Sequence, residues 1–196
     1  MTENAAHTYP RNIRLGSLDL VLRRGERKDK DAVLAFARSL PEHDLLFLAR
    51  DITKEENVVE WLENPSIATL LAMQGSALVG YAAIHENPMA WTAHVAELRV
   101  MIAESMRGKG LGRMLTQEAF AFALGLGKEK MIGQMTLDQK GAIAAFQGLG
   151  FRPEALLRDH VKDRQGQKHD LLVLSHDVER FAAQQAALGV TEAFGG

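Results

Sequence analysis

Three glycines and two cations alternate in Arg107-Gly108-Lys109-Gly110-Leu111-Gly112, and Arg113 follows as a third cation. The stretch lies after an apolar run and before a segment with helical periodicity. The first turn of a helix has unpaired N–H groups and a partial positive charge, and both favour a phosphate. Glycine lets backbone approach a ligand without a Cβ between, and permits positive φ where a turn requires it. The three cations suit a ligand with more than one negative charge. Two familiar phosphate patterns are excluded. No GxxxxGK[ST] occurs, and GxGxxG read from Gly108 and Gly110 would need its third glycine at 113, which is Arg.

The elements that must position this turn can be read on either side of it. Leu18, Leu20 and Leu22 alternate as a half-buried strand. Asp29 is placed to cap a helix carrying Ala32, Val33, Phe36 and Leu40, closed by Pro41. Thr53 and Glu56 read as a capping box for a second helix through Val58, Val59 and Leu62, ended by Asn64-Pro65. Strands are predicted over 67–73 and 77–85, joined through Gln74-Gly75-Ser76, and over 93–102. After the glycine turn an amphipathic helix presents Leu111, Met114, Leu115, Ala119, Phe122 and Leu126, with Gly125 and Gly127 suited to stop it. A strand over 131–137, a helix capped by Asp138 and ending at Gly150, and strands near 154–161 and 169–177 complete the order β-α-α-β-β-β-α-β-α-β-β. Three successive strands without a helix between them rule out a simple doubly wound sheet. The expectation is an α/β domain on a mixed sheet of about six to seven strands flanked by helices. Residues 1–17 read as an N-terminal arm, 18–178 as one domain and 179–196 as a tail.

Composition narrows the function classes. A chain of 196 residues, 46% apolar and 24% charged, can bury roughly 70% of its unfolded surface in one core. It has no cysteine, which excludes disulfides, thiolate metal sites and a cysteine nucleophile and agrees with a reducing compartment. A net charge of −2 argues against nucleic acid as a partner. No apolar run approaches the ~20 residues of a membrane span, and MTENAAHTYPRN has no secretory h-region. The expected compartment is the cytoplasm. No HExxH or close histidine pair on one helix points to a metal, and no G-x-S-x-G elbow points to a serine hydrolase.

The order Arg-x-x-Gly-x-Gly between a strand and an amphipathic helix resembles the acyl-CoA-binding motif of the GNAT superfamily of N-acyltransferases. The likeness includes the strand ending in Val100, Met101 and Ile102, the helix and strand that follow, and a segment from Gln139 through Ala142, Phe146 and Gly150 to Phe151 that looks like the superfamily's Asn-x-x-Ala…Tyr…Gly-Phe helix. The element order over 18–178 matches that fold. The resemblance implies acetyl-CoA as co-substrate, no metal, and direct transfer to a primary amine. It implies that backbone amides around Arg107, Gly108, Lys109, Gly110, Leu111, Gly112 and Arg113 hold the pyrophosphate. Val100, Met101 and Ile102 would pair with the pantetheine arm like an added strand, one N–H polarising the thioester carbonyl. Gln139 replaces the usual Asn and keeps an amide for a cofactor contact. Phe146 stands where many members carry a Tyr proposed to protonate the departing thiolate, and a phenyl ring cannot do that.

An amine acceptor is mostly protonated at neutral pH, so a base must take its proton. Glu97, near where some relatives place a glutamate base, is the candidate, with His94, His85 and Glu86 behind it. His43-Asp44, Asp159-His160 and His169-Asp170 fall where the family builds acceptor pockets. A small-molecule or peptide amine is the expected partner, with a homodimer the candidate assembly. The rival readings are a non-catalytic acyl-CoA sensor of the same fold and an enzyme of that fold accepting a longer acyl group.

Overall fold

The computed structural model describes residues 8–45, 48, 50–163 and 165–179. Its centre is one eight-stranded sheet in the order β1-β2-β3-β4-β5-β6-β8-β7. The strands are β1 (Arg11–Leu15), β2 (Leu18–Arg24), β3 (Ile67–Gln74), β4 (Ala77–Glu86), β5 (Val95–Ile102), β6 (Lys130–Thr136), β7 (Arg152–Lys162) and β8 (Lys168–Asp177). Among the described residues five α-helices accompany them: α1 (Lys30–Ser39), α2 (Glu42–Leu45), α3 (Glu55–Glu63), α4 (Leu111–Gly125) and α5 (Lys140–Gln147). Every neighbouring pair is antiparallel except β5 and β6, which α4 connects in parallel. The mixed sheet is as expected, with one strand more than the sequence suggested.

The extra strand corrects the reading of residues 1–17 as an arm. Arg11–Leu15 pairs antiparallel with Leu18–Arg24 in full register across a turn at Gly16, which has φ +62°. The pattern was hard to see because β1 is an edge strand with alternate residues exposed, so polar side chains dominate it. Most of the expected tail, 180–196, lies outside the described residues.

Helices cover both faces, which explains why β3 and β4 are near-continuous apolar runs rather than alternating ones. Ala82, Ile84, Ala96 and Leu98 pack on one face with Leu111, Leu115 and Ala119 of α4. Tyr81 and Ala83 face the other way, onto Val33 and Phe36 of α1 and Val58 and Trp61 of α3. Leu111 and Leu115 are completely buried, each worth about 1.5–3 kcal/mol, and they fix the start of α4 against the sheet. Gly127 (φ +73°) ends α4 as expected: its N–H bonds the Leu124 carbonyl and the Lys128 N–H bonds that of Ala123. Leu126, read as part of the apolar face, is exposed.

Three predicted caps are otherwise employed: Asp138 pairs with His43 and leaves the N-cap position of α5 to Gln139, and two more are taken by nearer partners. Asp29 precedes α1 but makes no cap bond to it; both its oxygens accept from Arg23 at 2.7 Å, and that bond holds its carboxyl below the ordinary range. Thr53 donates to Asp51 at 2.5 Å instead of capping α3, whose N-cap position falls to Lys54. At Asp29 a guanidinium, and at Thr53 a carboxylate, outcompetes the helix amides.

Candidate active site

The β5–β6 pair is short. It joins Val95 to Lys130, Ala96 to Met131 and Glu97 to Ile132, and there it stops. Beyond that point β5 continues to Ile102 bonded only to β4, and β6 continues to Thr136 bonded only to β8. The sheet therefore splits along its middle and leaves two facing inner edges. A cavity of about 400 Å³ occupies the split. Glu97 through Met101 of β5 form one wall, and Gln134 and Met135 of β6 with Gln139, Ala142 and Phe146 form the other. Asp44 and Leu48 close one side, and His160 and Lys162 of β7 the end.

The glycine turn lies where β5 runs out. Gly108 (φ +72°) and Gly110 (φ +86°) take left-handed conformations, as the turn requires, and a Cβ on Gly108 would meet nothing within 4 Å. The space beside this backbone is open. The first intrahelical bond of α4 runs from Met114 N–H to the Gly110 carbonyl, so the amides of Leu111, Gly112 and Arg113 precede the helix ladder. Lys109 and Arg113 are exposed, whereas the Leu111 side chain is in the core and offers only its backbone. Arg107 is ion-paired with Asp44. A turn of this shape, with first-turn amides, open space and cations, fits a pyrophosphate.

Glu97 sits at the apex of the split, where pairing ends. Its Oε1 accepts from Arg99 Nε at 2.8 Å, two residues along the same face of β5. Opposite on β4 is His85, whose pKa is lowered to about 4 by burial, with Arg99 acting in the same direction and Glu97 against it. Val100 and Met101 line the cavity; Ile102 belongs to the core packing beside α4. Gln139 lines it too, but its Oε1 accepts from Thr136 N–H at 3.0 Å, so the amide oxygen ties the end of β6 to the start of α5. Phe146 is both wall and core. Its ring lies against Gly133, where a Cβ would come within 2.4 Å of Cε1, and meets the Phe151 ring edge-on at 4.9 Å.

The secondary candidates separate. A bulge in β7 between Leu157 and Val161 re-aims that strand, with Asp159 at φ +49°, and brings His160 to the cavity. Asp170 accepts from the Asp159 amide, and His169 bonds Asp163 at 2.8 Å, so these stabilise the hairpin. His43 pairs with Asp138 at 2.6 Å, Glu86 with Lys128 at 2.7 Å, and His94 contributes its carbonyl to Glu129 and Lys130. Among the described residues no cluster of three or more His, Asp or Glu could hold a metal ion. None of their helices is long and apolar enough to cross a membrane. Sequence reading passed over Arg50, Trp61, Tyr81 and Lys162, which carry no motif and come together only through the fold; Arg99 was noted only as a partner for Glu97.

A sheet split beside a glycine turn that opens a helix is the architecture of an acyl-CoA-dependent acyltransferase. The sequence matches the model of the acetyltransferase (GNAT) family over residues 31–151, more than half of the chain. The chain belongs to the GNAT acetyltransferase family and is an acyltransferase enzyme. It is similar to "Putative phosphinothricin acetyltransferase YwnH" of Bacillus subtilis (strain 168), 24% identical over 165 residues that cover 81% of this chain and 99% of that protein. Among solved structures it resembles the ribosomal-protein-alanine N-acetyltransferase of Brucella melitensis, at TM-score 0.70 and 26% identity over 80% of this chain and 98% of that one. It also shares its fold with "yncA, a putative acetyltransferase from Salmonella typhimurium with its cofactor Acetyl-CoA", at TM-score 0.69 and 21% identity over 81% of this chain and 94% of that one. The family uses acetyl-CoA and acts on amines.

Proposed function

We propose that this enzyme moves the acetyl group of acetyl-CoA directly to a primary amine, both bound together in the β5–β6 cavity, with Glu97 accepting the amine proton. The observation that carries the reading is the end of pairing at Glu97 and Ile132: it opens a strand-wide slot between the glycine turn and the only carboxylate of β5. Amides of residues 107–113 hold the pyrophosphate. The free inner edge along Val100, Met101 and Ile102 pairs with the pantetheine arm, and one N–H there donates to the thioester oxygen. Acetyl-CoA supplies an activated thioester carbonyl. Glu97, directly or through one water, takes the proton that the amine must lose. Phe146 gives the leaving sulfur an apolar wall and no proton, and a thiol of pKa near ~8.5 departs as thiolate without one. With no cysteine in the chain, no thiol is available to carry the acetyl group between the two substrates. A reducing compartment, the cytoplasm, suits such a chain.

The test is a panel of amines with acetyl-CoA, scored by release of free CoA. Initial-rate plots should intersect for the acceptor that turns over. Parallel plots, with an acetyl group appearing on a protein residue at the rate of turnover, would overturn direct transfer.

A further inference from the structure

A second, smaller cavity of about 30 Å³ opens on the α1/α3 side of the sheet and shares Leu48 and Arg99 with the large one. About 10–15 Å³ suffices for one water, so it has room for two waters or one carboxylate. Three groups of its polar lining can only donate, the guanidiniums of Arg50 and Arg99 and the Trp61 indole, and the Tyr81 phenol and His85 can donate as well as accept. Trp61 is 3% exposed, and its Nε1 has no hydrogen-bond partner among the described residues. An indole N–H buried without an acceptor is costly and uncommon. Arg50 Nη1 is likewise buried, and it lies 3.1 Å from Glu60 Oε1 without the alignment of a hydrogen bond. Glu60 is itself 67% exposed, so it is a weak holder of that charge. The Arg99 bond to Glu97 uses one of the five guanidinium donors. Trp61 and Tyr81 are fixed against each other at 4.7 Å between ring centroids, so the indole donor is preorganised. The indole N–H of Trp61 and Nη1 of Arg50 both stand there without an acceptor.

We infer that the pocket binds the oxyanion of the acceptor, and that the substrate is an amine carrying a carboxylate, an amino acid rather than a polyamine or a neutral amine. The inference rests on the transferase reading above, because Arg99 links the pocket to Glu97. An amino acid seated this way has its carboxylate between Arg50 and Trp61 and its amino group toward Glu97. Arg99 lies between them, touching the anion's pocket while bound to the base. Charge-assisted bonds to a guanidinium are worth about 10–100-fold in affinity, enough to discriminate an acid from its amide.

The test pairs the α-amino acids with their carboxamides, in turnover and in binding. Arg50→Gln should raise KM for the acid about 10–100-fold with kcat within about twofold, and leave KM for acetyl-CoA and the rate with the carboxamide unchanged. Arg50→Lys should recover part of the loss. Independently of turnover, Trp91→Phe leaves Trp61 as the only tryptophan; Trp91 is 96% exposed, so the change costs the fold nothing. In that variant an amino acid should shift Trp61 fluorescence, its carboxamide should not, and Arg50→Gln should abolish the response. Acids that bind without being acetylated would keep the pocket and remove the transfer reading. Acetylation of neutral or cationic amines alone, or a fluorescence response equal for acid and amide, would keep the transferase and overturn the pocket.

Discussion

At the glycine turn, the backbone beside Gly108 faces open space and the amides of Leu111, Gly112 and Arg113 precede the helix ladder. At the other end of the cleft, Arg50, Trp61, Tyr81 and Arg99 arrive from a loop, a helix and two strands and present side chains. The first end depends on conformation: positive φ at Gly108 and Gly110, and a helix held down by Leu111 and Leu115. The second depends on the packing of α3 onto Tyr81 of β4. A ligand group common to all members of a family can be held by backbone, whose atoms do not vary; a group that differs between substrates needs side chains.

The sharpest way to break the comparison is Gly110→Asp. At φ +86° an L residue is strained, and the carboxylate adds charge where phosphate is to sit, so CoA binding by calorimetry should vanish in a protein that still melts cooperatively. Unchanged affinity would mean the turn is not the pyrophosphate site. Next is Glu97→Gln at the apex between the two ends. A positioned base contributes about 10²–10⁴-fold, so kcat at neutral pH should fall at least a hundredfold while CoA affinity stays. The loss should shrink at high pH, where free amine forms unaided. A variant keeping more than half of kcat, with chemistry rate-limiting, removes Glu97 from the role.

Smaller effects probe the walls. Gly133→Ala drives a Cβ into the Phe146 ring, and overpacking of this kind costs about 1–3 kcal/mol. Urea denaturation should show the loss, and Phe146→Leu added to it should return most of the stability. No loss in the single variant would show that the ring has room to move. The mildest change concerns His85, which burial keeps neutral to about pH 4 against an ordinary 6.5. Between those values the unfolded chain binds the proton and the folded one does not, so stability falls as pH drops from 6.5 to 4 and levels below. His85→Asn should flatten that part of the curve; an identical slope in both proteins would show that His85 charges freely in the fold.

The same contrast explains what could be read in advance. The glycine turn was legible because its residues are contiguous and their chemistry follows from backbone geometry. Strands β2 to β8 and helices α1, α3, α4 and α5 showed in apolar periodicity, within a few residues at their ends. Strand β1 did not, since an edge strand need bury little, and Asp29 and Thr53 misled because a cap residue bonds whichever partner is nearest. The family resemblance gives Gln139 an amide for a cofactor contact, and the oxygen of that amide is spent on Thr136. Arg50 and Trp61 are eleven residues apart in an unremarkable stretch, and only the fold of α3 against Tyr81 makes them neighbours.

The division of the sheet past Glu97 and Ile132 has a thermodynamic meaning as well as a chemical one. A sheet parted along its middle is one strand short, with two rows of backbone donors and acceptors that water must satisfy until something extended lies between them. A ligand that fills the gap adds to the fold itself, by RT ln(1 + [L]/Kd), or about 2.7 kcal/mol at a hundredfold excess over Kd. The protein's resistance to unfolding would then rise and fall with the supply of its own acyl donor.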